Sequence, residues 1–458
     1  MINYVYFGII ALIAVLVWII IIDNYPWIII LIMIAVFPLD NFYFQMESIK
    51  LRLGELIGII TFLILLINKM VKKRRIILPT GFWIFFLFLF LAFLTLFYYK
   101  NESFQKGLIQ LIHIVGLFII ALALYWLIQE NIKIQYIEKI IIVIGSLYLL
   151  IGLLQFITYY LFNYVPANFN LNAKVIGNIS FIATSGSSLP SIVLIGDAPW
   201  FRPGSILKEP VFLGVLSVWL FSLSISNYLY LNTDKRAKAK YLLISIFFGW
   251  IVIISASRIA WVALGISPIV ALLIQRRYDK LFAINILKTM FIIIIIIIIT
   301  FTYSDIIYRL DYGFIRNDIR WIMYEAQYRE FIRYPILGLG AGTTGDVIRS
   351  SMAWNWEPEN VPTGGYGTVI SILHDYGLVG MVLISIFIWR IYSSVKKKLG
   401  MNFGKAKYSI IFYNGLISII IWGIFSLSIL GLSMFWLATS LTWASIDKTQ
   451  VDKKRPIY

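Results

Sequence analysis

The sequence predicts an all-α polytopic membrane protein with 12–13 transmembrane helices and two long extracytoplasmic loops. Three observations carry this. Of 458 residues, 60% are hydrophobic and 13% charged, with a mean hydropathy of +0.87; a soluble domain is about half apolar and about a quarter charged. Apolar stretches of span length recur from one end to the other. The short polar connections between them carry clusters of Lys and Arg.

Taken in order, the stretches fall near 4–22, 54–71, 80–99, 107–129, 140–162, 209–231, 241–256, 259–275, 282–302, 367–392, 408–428 and 430–445. A shorter one at 27–39 reads as a half-span or a short helix. The first stretch is nearly span-length and has no charged segment before it, so no cleavable signal peptide is expected. The eight consecutive isoleucines at 292–299 would argue for a strand in water. In lipid, backbone groups bond within their own segment, so the run reads as helix. The whole of 1–458 is expected to be one integral membrane domain.

The Lys-rich connections at 72–75, 234–240, 275–280 and 396–407, with the C-terminal tail, are expected in the cytoplasm. That leaves two long segments facing outward, 163–208 and 303–366. Both are too long for simple connectors and too rich in aromatic and apolar residues for disorder. On these sides, Lys outnumbers Arg in the cytoplasm. Outside stand nine arginines: Arg52, Arg202, Arg258, Arg309, Arg316, Arg320, Arg329, Arg333 and Arg349. The positive-inside rule gives no reason for them. Arg carries a planar fork of donors suited to phosphate and carboxylate. Lipid headgroups or a lipid-linked pyrophosphate would be the anion.

Several chemistries are excluded or disfavoured. There is no cysteine, hence no disulfide, thiolate nucleophile or Cys metal site. The two histidines, His113 and His374, are too few for a histidine metal cluster, and no Asp-x-Asp pair is present to grip a metal–nucleotide. No metal and no cofactor are expected. The net charge of +17 reads as cytoplasmic anchoring of a membrane protein, with no nucleic-acid partner.

Four stretches carry candidate chemistry. "FRPGSILKEP" (201–210) sets Arg202, Lys208 and Glu209 at the mouth of a span. "ISASRIAWVALG" (254–265) puts Arg258 beside Ser255 and Ser257 at a turn between two spans. Arg258 is either a snorkelling side chain at a helix end or one aimed into a cavity. "FIRNDIRWIMYEAQYREFIRYP" (314–335) spaces Ile315, Ile319, Ile322 and Ala326 as the apolar stripe of a helix on the outer membrane face. Arg316 and Arg320 flank that stripe. "PILGLGAGTTG" (335–345) lacks the Gly-Lys-Ser/Thr ending of a nucleotide loop, but as a tight turn it could offer backbone N–H groups to an anion. Finally, His374 and Asp375 stand in the early turns of a span, ahead of Gly377 and Gly380.

Together and in order, "FRPGSILKEPVFLG", "SASRIAWVAL", "RWIMYEAQYREFIRYPILGLGAG" and "TVISILHDYGLVG" resemble the O-antigen ligase/polymerase superfamily over residues 200–383. The first half of the chain is similar only in hydropathy. Ligases of that family carry a His-Asn pair where this chain has Tyr366 and Gly367, so the resemblance is nearer the polymerase (Wzy-type) branch. It implies a GT-C-like membrane architecture in the bacterial inner membrane, a site facing outward, and metal-independent glycosyl transfer from undecaprenyl-pyrophosphate-linked glycans. Arg202, Arg258, Arg316 and Arg320 would then hold the pyrophosphate. Glu209 or His374 would act as base, with Asp197, Asp318 and Glu325 as rivals. Membrane lipid, a chain-length regulator and a flippase are the partners this implies. Two other classes stay open, a ligase acting on a lipid or protein acceptor and a lipid-linked oligosaccharide flippase.

The topology is directly testable. A protease site or reporter placed at Ser187 or at Ser350 should score as external. A cytoplasmic result at either would turn the loops toward the wrong pool of substrate.

Overall fold

The computed structural model describes residues 17–451, apart from 23, 37, 40–41, 47–48, 98–101, 132, 163, 166–169, 177–178, 185–191, 196–197, 202, 204, 206, 208–209, 231–234, 276–318, 345–346, 348–366, 402 and 427–428. It is an all-α polytopic membrane protein. Among the described residues, seven helices are long and apolar enough to cross a bilayer: Leu53–Val71, Phe104–Gln129, Ile134–Phe162, Pro210–Tyr230, Lys235–Ile254, Thr368–Gly400 and Ala406–Ile424. Three shorter apolar helices, Pro26–Val36, Phe82–Thr95 and Arg258–Ile269, fall on other expected spans. The expected span at 430–445 lies in the helix Ser433–Val451. The one at 282–302 and most of 4–22 lie outside the described residues.

In chain order the helices are α1 (Pro26–Val36), α2 (Leu53–Val71), α3 (Phe82–Thr95), α4 (Glu102–Asn131), α5 (Ile134–Phe162), α6 (Pro210–Tyr230), α7 (Lys235–Ile254), α8 (Arg258–Gln275), α9 (Ile319–Arg333), α10 (Thr368–Met401), α11 (Phe403–Phe425) and α12 (Ser433–Val451). A 3₁₀ turn, Ile429–Gly431, links the last two.

Helix α6 is apolar on every side and is buried almost end to end, as such a helix must be. Helices α5, α7, α8 and α11 pack around it. A helical Ser can be buried at little cost when it bonds back along the chain: Ser217 Oγ donates to the Leu213 carbonyl at 2.7 Å. Small residues bring the helices close. Gly145 faces Leu220, Gly58 faces Ile120 and Gly415 faces the Trp219 ring. A second packing centre is aromatic, with Phe85, Phe118, Phe387, Trp436 and Trp443 meeting edge-on or tilted.

The long first loop is not irregular. Strands β1 (Phe42–Met46) and β2 (Ile49–Arg52) form a hairpin, and β3 (Asn170–Ile176) and β4 (Ile179–Thr184) form another. They join into one antiparallel sheet in the order β2-β1-β4-β3, with Phe44 opposite Phe181. A further hairpin pairs β5 (Ile192–Ile195) with β6 (Ala198–Phe201). Aromatic and β-branched residues favour these strands. The β1–β4 pairing requires residues 42–52 and 170–184 to sit at the same end of the bundle.

The opposite end is the Lys-rich one. There Lys398 donates to the Ser445 and Ile446 carbonyls near the end of α12. Tyr125 donates to Asp447 Oδ2 at 2.7 Å and Gln129 to the Ala444 carbonyl at 3.0 Å.

Candidate functional site

Helix α10 is broken at Gly377, whose backbone lies at φ 63, ψ −163. In an unbroken helix the His374 and Asp375 carbonyls would accept from the Leu378 and Val379 amides. The segment 335–340 takes over all four groups. Leu339 N donates to the His374 carbonyl at 2.7 Å and Gly340 N to the Asp375 carbonyl at 3.0 Å. Leu378 N donates to the Pro335 carbonyl at 2.8 Å and Val379 N to the Ile336 carbonyl at 3.2 Å.

That insertion corrects the anion-loop reading of "PILGLGAG". The N–H groups of Leu339 and Gly340 are spent on α10, and Gly342 N donates to Gln110 Oε1 at 2.8 Å. The glycines answer to close approach. A Cβ on Gly338 would lie 2.6 Å from the Gly377 nitrogen, and one on Gly342 would lie 2.7 Å from the Gly107 Cα.

Side chains seal the junction. Thr344 Oγ1 donates to Asp375 Oδ1 at 2.9 Å, and Gln110 Nε2 donates to Asp375 Oδ2 at 3.0 Å. His374 Nδ1 lies 2.8 Å from Asp375 Oδ1, which accepts its proton. His374 is fully buried, and among the described residues its Nε2 has no partner.

A second group stands at the same end. The α7–α8 reversal needs a left-handed Ala256, at φ 47. Ser255 Oγ donates to the Val252 carbonyl, and Trp261 Nε1 reaches the same carbonyl at 3.2 Å. Arg258 opens α8 and is half-buried. Gly214, near the start of α6, lies against this turn: a Cβ there would come within 3.1 Å of Ser255 Oγ. The segment preceding α6 is tied to α5. Gln155 accepts from Ser205 N at 2.7 Å and donates to its carbonyl at 3.1 Å, while Ser205 Oγ donates to the Tyr148 carbonyl. Phe201 stacks on Tyr159 with centroids 4.4 Å apart.

The sequence-predicted residues divide accordingly. His374 and Arg258 are placed in these two groups, and α11 packs against the helices of both. Arg202, Lys208, Glu209, Asp197, Arg316, Asp318 and Tyr366 lie outside the described residues, and Arg320 is described only as a backbone position in α9. Glu325 is exposed and paired with Arg329. Arg333 pairs with Glu330 at 2.7 Å. Among the described side chains of α9, Met323, Ala326 and Gln327 are buried; Ala326 belongs to the expected stripe, α9 packs on α10, and the side chains of Ile319 and Ile322 lie outside the description.

One cluster was missed. Glu55, on α2, is 2% exposed and holds His113 of α4, whose Nδ1 lies 2.9 and 3.1 Å from its two oxygens. Arg52 N donates to Glu55 Oε2 at 3.0 Å, and Arg52 Nη1 donates to the Gly431 carbonyl at 3.1 Å. The available signal was Arg52 and Glu55 at capping-box spacing where an apolar run begins.

Residues 243–385 match a family model described as O-antigen ligase. This match supports a place in the O-antigen ligase/polymerase superfamily and O-antigen ligase-type glycan transfer. It covers Arg258, the inserted segment and His374–Asp375, about a third of the chain. Gln110, Glu55 and His113 lie before it. No curated protein matches the chain.

The insertion predicts a sharp contrast between two glycines. Gly377→Ala should cost about 2–6 kcal/mol, combining ~1–3 for a backbone conformation open essentially to glycine alone with ~1–3 for overpacking. Gly265→Ala, in α8 with open space around it, should be neutral or slightly stabilising. Unfolding midpoints in detergent check both.

Proposed function

We propose that the protein polymerises undecaprenyl-pyrophosphate-linked oligosaccharide repeat units at the outer face of the bacterial cytoplasmic membrane. The growing glycan would leave its pyrophosphate and join a hydroxyl of the next lipid-linked unit. The leaving group is already good, so the work is to stabilise its charge and to position the acceptor. Arg258, at the first turn of α8, is suited to the pyrophosphate, because both its guanidinium and the helix N-terminus favour an anion. Arg202, Arg316 and Arg320 are assigned to the same anion. The absence of any Asp-x-Asp pair supports a transfer without a metal. The proton of the acceptor hydroxyl needs a base. Glu209 and His374 are the bases the sequence offers, and His374 is enclosed by the inserted segment.

The observation that carries polymerase over ligase is Gly367. Its φ is +73, and a Cβ there would lie 3.0 Å from the Tyr324 ring and 3.1 Å from the Ile424 carbonyl. An asparagine, as in the family's ligases, would crowd this site. The family match does not separate polymerase from ligase, so the test must.

Deleting the gene should leave single repeat units on their final carrier and remove long chains. Full-length polymer accumulating on the lipid pyrophosphate, with none on the final carrier, would make the protein a ligase. Within the polymerase reading, Arg258→Lys should shorten or abolish polymer, because a bidentate fork is lost while the charge is kept. Wild-type chain length on a gel would leave Arg258 a topological role only.

A further inference from the structure

The chain's two histidines both place Nδ1 on a carboxylate, His374 on Asp375 and His113 on Glu55. An ionised carboxylate only accepts, so in each pair Nδ1 carries the proton and Nε2 the lone pair. This is the tautomer a general base requires. The surroundings of the two pairs differ. His374 has no exposure, and segment 335–344 closes over it. His113 keeps 20% of its side chain exposed, and among the described residues its Nε2 has no hydrogen-bond partner.

Position adds to the contrast. His113 lies three residues after Gln110 on α4, so the two share a face one turn apart. Gln110 is the side chain that holds Asp375 and Gly342. Glu55 is in turn held by the Arg52 amide at 3.0 Å, with Arg52 Nε 3.8 Å from its other oxygen. On another side Glu55 borders a mostly apolar cavity of about 10 Å³, walled by Val36, Leu39, Leu117 and Ile120 with Arg52 and Ser433 and not by His113, with room for about one water. Among the described residues the buried Ser433 Oγ has no partner, so Ser433 Oγ and His113 Nε2 both keep polar capacity that those residues leave unused.

We propose that the Glu55–His113 pair is the general base of the transfer. The proposal rests on the glycan-transfer reading above and replaces Glu209 and His374 in this one role. The acceptor O–H gives its proton to His113 Nε2. The oxygen's electron pair forms the new bond to the anomeric carbon of the donor. The bond from that carbon to the pyrophosphate oxygen breaks, and its electrons leave on the pyrophosphate. Glu55 stabilises the imidazolium, which returns its proton to water at its exposed edge.

The test uses the full-length protein purified in detergent, with a synthetic lipid-pyrophosphate-linked repeat unit as substrate. His113→Gln keeps an amide donor for Glu55 but cannot accept the proton. It should lower kcat by about 10²–10⁴-fold while leaving the donor KM and the unfolding midpoint unchanged. In His113→Ala, added imidazole should restore part of the turnover, which a purely structural tie would not allow. A folded His113→Gln turning over at the wild-type rate overturns the base assignment while leaving glycan transfer intact. Should that variant not fold, a folded His113→Ala that imidazole fails to rescue overturns it equally. A wild-type protein that leaves the lipid-linked unit untouched defeats the transfer reading itself, and the proposal with it.

Discussion

Backbone groups inside a hydrocarbon layer must be paired, because each unpaired one costs several kcal/mol. Gly377 removes four such groups from helix α10 at once. The rest of the candidate site is the answer to that deficit. Segment 335–340 supplies two carbonyls and two amides, and to reach them it must press its own backbone onto that of α10. The close approach needs glycine at 338. It also delivers Thr344 to Asp375 and stations Gln110 between Asp375 and Gly342. A helix break is thus converted into a rigid junction at His374 and Asp375, inside the matched region 243–385.

The helical class and most span positions were legible because a membrane helix writes itself as a long apolar run. The run at 209–231 appears as α6, and the one at 140–162 ends with α5. What lay between them was less legible. Residues 170–184 form strands because β4 has β1 to pair with, and that partner is more than a hundred residues away. No local pattern records such a pairing. The stripe on α9 was legible in part: Ala326 belongs to it and is buried beside Met323 and Gln327 on the helix that packs on α10.

The site shows the same division. Motif order made Arg258 and His374 stand out, and the glycines of 338–342 were rightly seen as a tight turn. Their purpose was misjudged, because a loop rich in N–H groups looks alike whether it faces an anion or a broken helix. Glu55 and His113 are 58 residues apart, each an ordinary polar residue in an apolar run. Only the α2–α4 packing makes them a pair. Gly58 permits that packing, since its missing Cβ leaves room for Ile120.

The two halves of the chain cannot be assigned separate tasks. The family region at 243–385 contains the broken helix and the inserted segment, but the amide that bridges them belongs to Gln110. Gly107, one turn earlier on α4, is where that helix meets Ala341 and Gly342. Arg52 extends the link in another direction, joining the β1–β2 hairpin to the Gly431 carbonyl between α11 and α12. A hairpin that is paired with the first long segment, and pinned by an arginine to the last helices, couples the sheet to the bundle. The first half of the chain therefore shapes the end of the bundle at which the matched region holds Arg258, His374 and Asp375, and Glu55 and His113 lie on the path that joins the two.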